Sequence, residues 1–111
     1  MGEQYSVRVE SQAGTTTVRL SGEIDLAAGP KVRAVIADVV LGVAPKRLLL
    51  DFTDTTFMDS TGVNALVLAH HAATMVGATV ELTPSPAVTR VLTVSGVSDL
   101  FGIVSELPLA G

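Results

Sequence analysis

Residues Tyr5 to Glu10 alternate in character, with Val7 and Val9 on one side and Ser6 and Arg8 on the other. That is the period of a half-buried strand. Ser11-Gln12-Ala13-Gly14 reads as a turn, and alternation resumes from Thr15 to Ser21 through Thr16, Val18 and Leu20, predicting an antiparallel hairpin. Gly22-Glu23-Ile24-Asp25 breaks the pattern. From Leu26 to Leu41 the apolar positions Val32, Val35, Ile36, Val39 and Val40 recur at helical spacing, with Asp25 placed to cap the start and Gly42 to stop the end. Arg47 to Phe52 is a continuous apolar run closed by Asp51 and Phe52, the pattern of a central strand buried on both faces.

A polar loop is expected from Thr53 to Asp59. A second helix follows from Val63 to Val76, ended by Gly77, and then a strand from Ala78 to Leu82. Pro86 suits the first turn of a short helix over Ala87 to Val94, and Phe101 to Glu106 reads as one last short strand. The order β-β-α-β-α-β-α-β predicts an α/β fold: a mixed sheet of about four to five strands with helices packed on it. The pattern contains no internal repeat or linker, so residues 1–111 are expected to form a single domain.

Composition removes several function classes. Seven Lys and Arg stand against eleven Asp and Glu, without a basic cluster, which disfavours nucleic-acid binding. Three Phe, one Tyr and no Trp leave almost nothing for base stacking. No apolar run approaches the ~18–20 residues of a membrane span, and the first residues lack the order of a secretory signal. The absence of Cys excludes disulfides and thiolate chemistry, and fits a reducing, cytoplasmic setting. His70 and His71 are adjacent, so on a helix they point roughly 100° apart and cannot chelate one metal together.

Candidate chemistry concentrates between Asp51 and Gly62: Asp51, Asp54 and Asp59 fall within nine residues, followed by Ser60-Thr61-Gly62 at a helix start. Open α/β sheets place functional loops at this strand end. A capping role for Asp59 or Ser60 accounts for one residue of the set. A haloacid-dehalogenase-like phosphatase needs a second Asp two residues after Asp51, where Thr53 stands instead. An aspartic protease needs Asp-Ser/Thr-Gly without the inserted residue of Asp59-Ser60-Thr61-Gly62, and a mostly β dimer. The fourth reading is a regulatory phosphoacceptor: a Ser at a helix N-terminus is accessible, and the helix dipole tolerates its phosphate.

Phe57-Met58-Asp59-Ser60-Thr61-Gly62 after an apolar strand resembles the signature of bacterial anti-sigma factor antagonists of the STAS domain family. Leu20-Ser21-Gly22-Glu23-Ile24-Asp25 is similar to that family's turn before the first helix. Ser85-Pro86-Ala87-Val88-Thr89-Arg90-Val91-Leu92, with Ser95-Gly96 and Leu100-Phe101, is similar to its C-terminal segment. Asn64 departs from the pattern, standing where relatives often carry a second Gly, and the terminal helix of many relatives is not expected before Gly111. The resemblance implies a switch protein with no catalytic activity, cofactor or metal of its own. Its unphosphorylated form would bind an anti-sigma factor that is also a serine kinase, freeing the sigma factor. The kinase would phosphorylate Ser60 and so release the protein, and a separate phosphatase would reset it.

Carried over by position, Ser60 is the acceptor, preceded by Asp59, and Asp25 is a partner contact. The second helix supports a docking surface. Placing Gly62, Ala65, Leu66, Ala69, Ala73 and Val76 on the buried stripe leaves Ser60, Thr61, Asn64, Leu68, His71 and Met75 outside. The partner-binding set is therefore Asp25, Asp59, Thr61, Asn64, Leu68 and His71. The alternative within the family is a non-phosphorylated accessory or scaffold module of a transporter or stress-signalling complex.

Overall fold

The structure is a computed structural model that describes residues 4–101. Strands β1 (Tyr5–Gln12) and β2 (Thr15–Ile24) form the expected hairpin. Its two-residue turn has Ala13 and Gly14 both at positive φ, 53° and 84°, the arrangement whose twist matches a tight antiparallel pair. Helix α1 (Gly29–Asp38) runs into a π-helical turn at Val39–Val43. Then come β3 (Arg47–Met58), α2 (Ser60–Met75), β4 (Thr79–Pro84), α3 (Pro86–Ser95) and a short 3-10 turn, Ser98–Phe101.

The sheet order is β1-β2-β3-β4, antiparallel at the first pair and parallel at the other two. Val18, Leu20, Leu48, Leu50, Phe52 and Leu82 point to one face, where they join Val32, Ile36, Leu66, Val88 and Leu92 from the helices in the core. The other face is polar and carries the ion pairs Arg19–Asp51 and Arg47–Glu81, both at 2.9 Å. Solvent-screened surface pairs of this kind contribute little, so the helix-covered face supplies most of the stability.

Several sequence expectations are corrected here. The central strand is not buried on both faces: Leu49 lies half-buried on the open face beside Asp51. Gly22-Glu23-Ile24 does not break β2, which continues to Ile24 with Gly22 at φ 91°, where a Cβ would meet the Gln4 carbonyl oxygen at 2.1 Å. Thr53 to Met58 is strand, not loop, so Asp51 lies within β3 instead of ending it. Two register shifts, between Arg19 and Ser21 and between Gly22 and Glu23, each add a residue to β3 relative to β2. Inward positions therefore fall at Phe52, Thr55 and Met58, three apart.

Helix α1 begins at Gly29 and not at Leu26, because Asp25 caps a separate turn upstream of it. The helical run passes Gly42 and closes at Ala44, which adopts φ 51°. Val76 is exposed at the C-cap of α2 and does not join the buried stripe. Phe101 ends the 3-10 turn, buried, and the rest of the expected last strand lies outside the described residues.

Candidate functional site

The edge where β3 meets α2 is held by hydrogen bonds on both sides. The Asp59 N–H donates to the Ile24 carbonyl at 3.3 Å, tying the end of β3 to the end of β2. Asp59 remains extended, at φ −109°, and is the N-cap of α2. Its carboxylate accepts from the Thr61 N–H at 2.9 Å and from the Thr61 hydroxyl. The Thr61 hydroxyl also lies 3.1 Å from the Asp25 carbonyl oxygen. These donors, the Thr61 hydroxyl foremost, hold the Asp59 carboxyl below the usual carboxylate range against the opposing effect of partial burial.

Ser60 differs from both neighbours. It is the first helical residue of α2, is exposed, and its hydroxyl makes no hydrogen bond among the described residues. Because Asp59 takes the cap, Ser60 is carried one residue further and turned to solvent. Thr61, half-buried, is committed inward. Ser60 stands at the positive end of the α2 dipole, which favours added negative charge there.

Two glycines permit this close assembly. A Cβ on Gly62 would stand 2.3 Å from Met58 Cγ, and one on Gly29 would stand 2.8 Å from Thr61 Oγ1. Gly29 thus lets the start of α1 press against the start of α2, a role the sequence reading missed; a glycine directly before Pro30 was the available signal. Asp25 sits at this junction, half-buried, accepting from the N–H groups of Ala27 and Ala28 at 3.1 Å each.

From Ser60 an exposed stripe runs down α2 through Asn64, Leu68, His71 and Met75, as the helical spacing requires. Leu68 also lines, with Arg33, Ala34, Ala37, Ala69 and Ala72, a groove of about 260 Å³ between α1 and α2. Two further exposed apolar residues at this end, Leu26 and Phe57, are not in the docking set expected from the sequence; Leu26 is 72% exposed directly after Asp25. Asp54 does not join the acceptor: it pairs in register with Ser21 on the sheet and adds to the field around Arg19. His70 is partly packed, with its ring edge-on to Phe101 at 5.5 Å, whereas His71 is exposed. Among the described residues no cluster of metal-ligating side chains forms, and no helix is long and apolar enough to cross a membrane.

The family model of the STAS domain matches residues 6–110. The chain belongs to the STAS domain family. No curated protein matches this STAS domain, but solved structures do. It is similar to the anti-sigma factor antagonist SpoIIAA in its unphosphorylated form, with 28% identity over 91% of this chain and 90% of that one, and a TM-score of 0.75. An anti-sigma factor antagonist from Mycobacterium paratuberculosis is 27% identical over 93% of this chain and 87% of its own, with a TM-score of 0.77. The Bacillus cell fate determinant SpoIIAA in its phosphorylated form is 27% identical over 91% and 93%, with a TM-score of 0.69. This STAS domain thus shares its fold over nearly its whole length with antagonists solved in both phosphorylation states.

Proposed function

We propose that this STAS domain is an anti-sigma factor antagonist whose binding is switched by phosphorylation of Ser60. The observation that carries the reading is the exposed, uncommitted Ser60 hydroxyl on the first turn of α2, beside a capping carboxylate that holds Thr61 inward. The similarity to SpoIIAA, solved with and without phosphate, supports it. In this reading the unphosphorylated protein docks in the cytoplasm on an anti-sigma factor serine kinase through Asn64, Leu68 and His71, with Asp25 and Asp59 at the rim and Thr61 positioning the turn. The kinase transfers the γ-phosphoryl group of ATP to the Ser60 oxygen, and a separate phosphatase removes it. The STAS domain catalyses neither step.

Release follows from charge. A phosphate adds about −1.5 to −2 charges to a surface already bearing Asp59. In the free domain that charge sits in water at a helix N-terminus. In the complex it lies against groups arranged for a neutral hydroxyl, at a cost on the order of several kcal/mol. Each ~1.4 kcal/mol weakens binding tenfold, so release requires no refolding.

The test is incubation with ATP and candidate anti-sigma factor kinases, followed by tandem mass spectrometry and calorimetry. One phosphate on Ser60, and weaker binding of the phosphorylated form than of Ser60→Ala, is the expected result. Phosphate on Thr61, or equal affinities of the two forms, contradicts the reading. A tightly held partner with no phosphate transfer from any kinase favours the accessory-module alternative.

A further inference from the structure

The outer edge of β1 is chemically self-complementary. The Glu23 N–H donates to the Gln4 carbonyl at 2.9 Å, and Gln12 pairs with Thr15 across the two-residue turn. Main-chain groups alternate in direction along a strand, so the even-numbered residues of β1 face β2. Tyr5, Val7, Val9 and Ser11 therefore turn their N–H and C=O groups away from the sheet, and no described strand pairs with them. Such an open row is a template for another strand unless it is blocked.

Side chains add a register. Val9 lies on the helix-bearing face, opposite Val18, yet is 41% exposed. Arg8 lies on the open face directly opposite Arg19, a like charge. Arg19 is occupied by Asp51 at 2.9 Å and Glu10 at 3.9 Å, whereas Arg8, exposed, has no carboxylate partner among the described residues.

We propose that β1 pairs antiparallel with β1 of a second copy of this chain about a twofold axis at Val9, making one continuous sheet. In that register Val9 exchanges both main-chain bonds with the partner's Val9, and Val7 does so with the partner's Ser11. Arg8 then stands across from the partner's Glu10, twice by symmetry, at the non-hydrogen-bonded positions where side chains approach most closely. Shifting either way to the next register that keeps the same faces sets Arg8 against the partner's Arg8, or Glu10 against the partner's Glu10. Charge therefore selects the Val9-centred pairing. The pairing leaves Ser60 uncovered, because that residue lies past the end of β3 and not on the β1 edge.

Sedimentation velocity from about 10 µM to about 1 mM should show a reversible dimer. Arg8→Glu and Glu10→Arg, each placing like charges across the axis, should each weaken it about tenfold or more, and the double variant should restore it. The chain has no cysteine, so Val9→Cys supplies a single thiol. Oxidised, it should yield a covalent dimer, since hydrogen-bonded partners place their Cα atoms about 5.5 Å apart, within disulfide reach. Ser6→Cys, whose counterpart stands at the far side of the ladder, should not. A monomer throughout, a dimer indifferent to the single swaps, failed rescue by the double swap, or equal crosslinking at both thiols would overturn the proposal.

Discussion

Two helices of this domain start on a small oxygen-bearing side chain, and their serines have opposite fates. At α3, Ser85 is itself the N-cap: it is buried, extended, and its hydroxyl accepts the Val88 N–H at 3.2 Å. At α2, Asp59 occupies that place and Ser60 is displaced into the first turn, exposed and with no hydrogen bond to its hydroxyl among the described residues. Both segments present a Ser before an apolar helix. The flanking residues decide which hydroxyl becomes structure and which stays available: Asp59 takes the cap ahead of Ser60, whereas Pro86 keeps Ser85 extended in the cap position. An aspartate one residue ahead of a serine thus does two things: it satisfies the helix start, and it frees the serine.

The sharpest test of this contrast is chemical. Ser60→Ala should abolish phosphate incorporation by the cognate kinase, whereas Ser85→Ala should leave it intact in the folded protein, as read by intact-mass spectrometry. The next effect is steric. Gly62→Ala should cost about 1–3 kcal/mol in urea unfolding, because its methyl group collides with Met58 and forces the strand–helix joint apart.

The two serines should then exchange rank when stability is measured. Ser85→Ala removes a buried cap and should cost about 1–2 kcal/mol, whereas Ser60→Ala should stay within about 0.5 kcal/mol. Parallel thermal melts of the two variants check this, and equal losses would erase the distinction. The smallest effect concerns Asp59. Its carboxyl is held below its unfolded value of about 3.9, so its stabilisation is complete above that pH and is lost as pH falls through the lower folded value. Asp59→Ala should therefore cost about 1 kcal/mol at pH 7, and the gap from the parent should narrow below about pH 4. Asp51 is depressed in the same direction by its hydrogen bond from Thr53, so the difference between the two proteins is the quantity to follow.

Much of the architecture was legible because apolar spacing survives in it. The hairpin, α2 and α3 follow periods of two and 3.6 closely, and the acceptor segment stood out by its Asp and Gly content. The tail of β3 was not legible for a definite reason. Its two bulges convert an alternating pattern into one buried position in three, and the middle one is Thr55, whose hydroxyl donates to the Leu20 carbonyl. A polar residue at an inward position reads as loop unless its buried partner is known. The start of α1 was obscured likewise: Asp25 caps, as its residue type suggests, but it caps a turn before the helix. Ala44 in a left-handed conformation, with Gly42 two residues earlier, reverses the usual preference and has no sequence signal.

The continuation of β3 to Met58, with α2 beginning two residues later, has a consequence for how a kinase would meet Ser60 in the proposed switch. An acceptor in a floppy tail is threaded into a kinase as a linear motif, and ordering each residue costs about 1–2 kcal/mol of backbone entropy. Here the chain on both sides of Ser60 is already fixed by folding, so docking immobilises little more than side chains. In the proposed switch, recognition would belong to a three-dimensional epitope assembled from distant parts of the chain, with Asp25 following β2 and Asn64 and His71 from α2. A peptide copying Phe57 to Asn64 retains the acceptor and its immediate neighbours but lacks Asp25, His71 and the fold that sets them beside Asn64, and so carries the chemistry without the address.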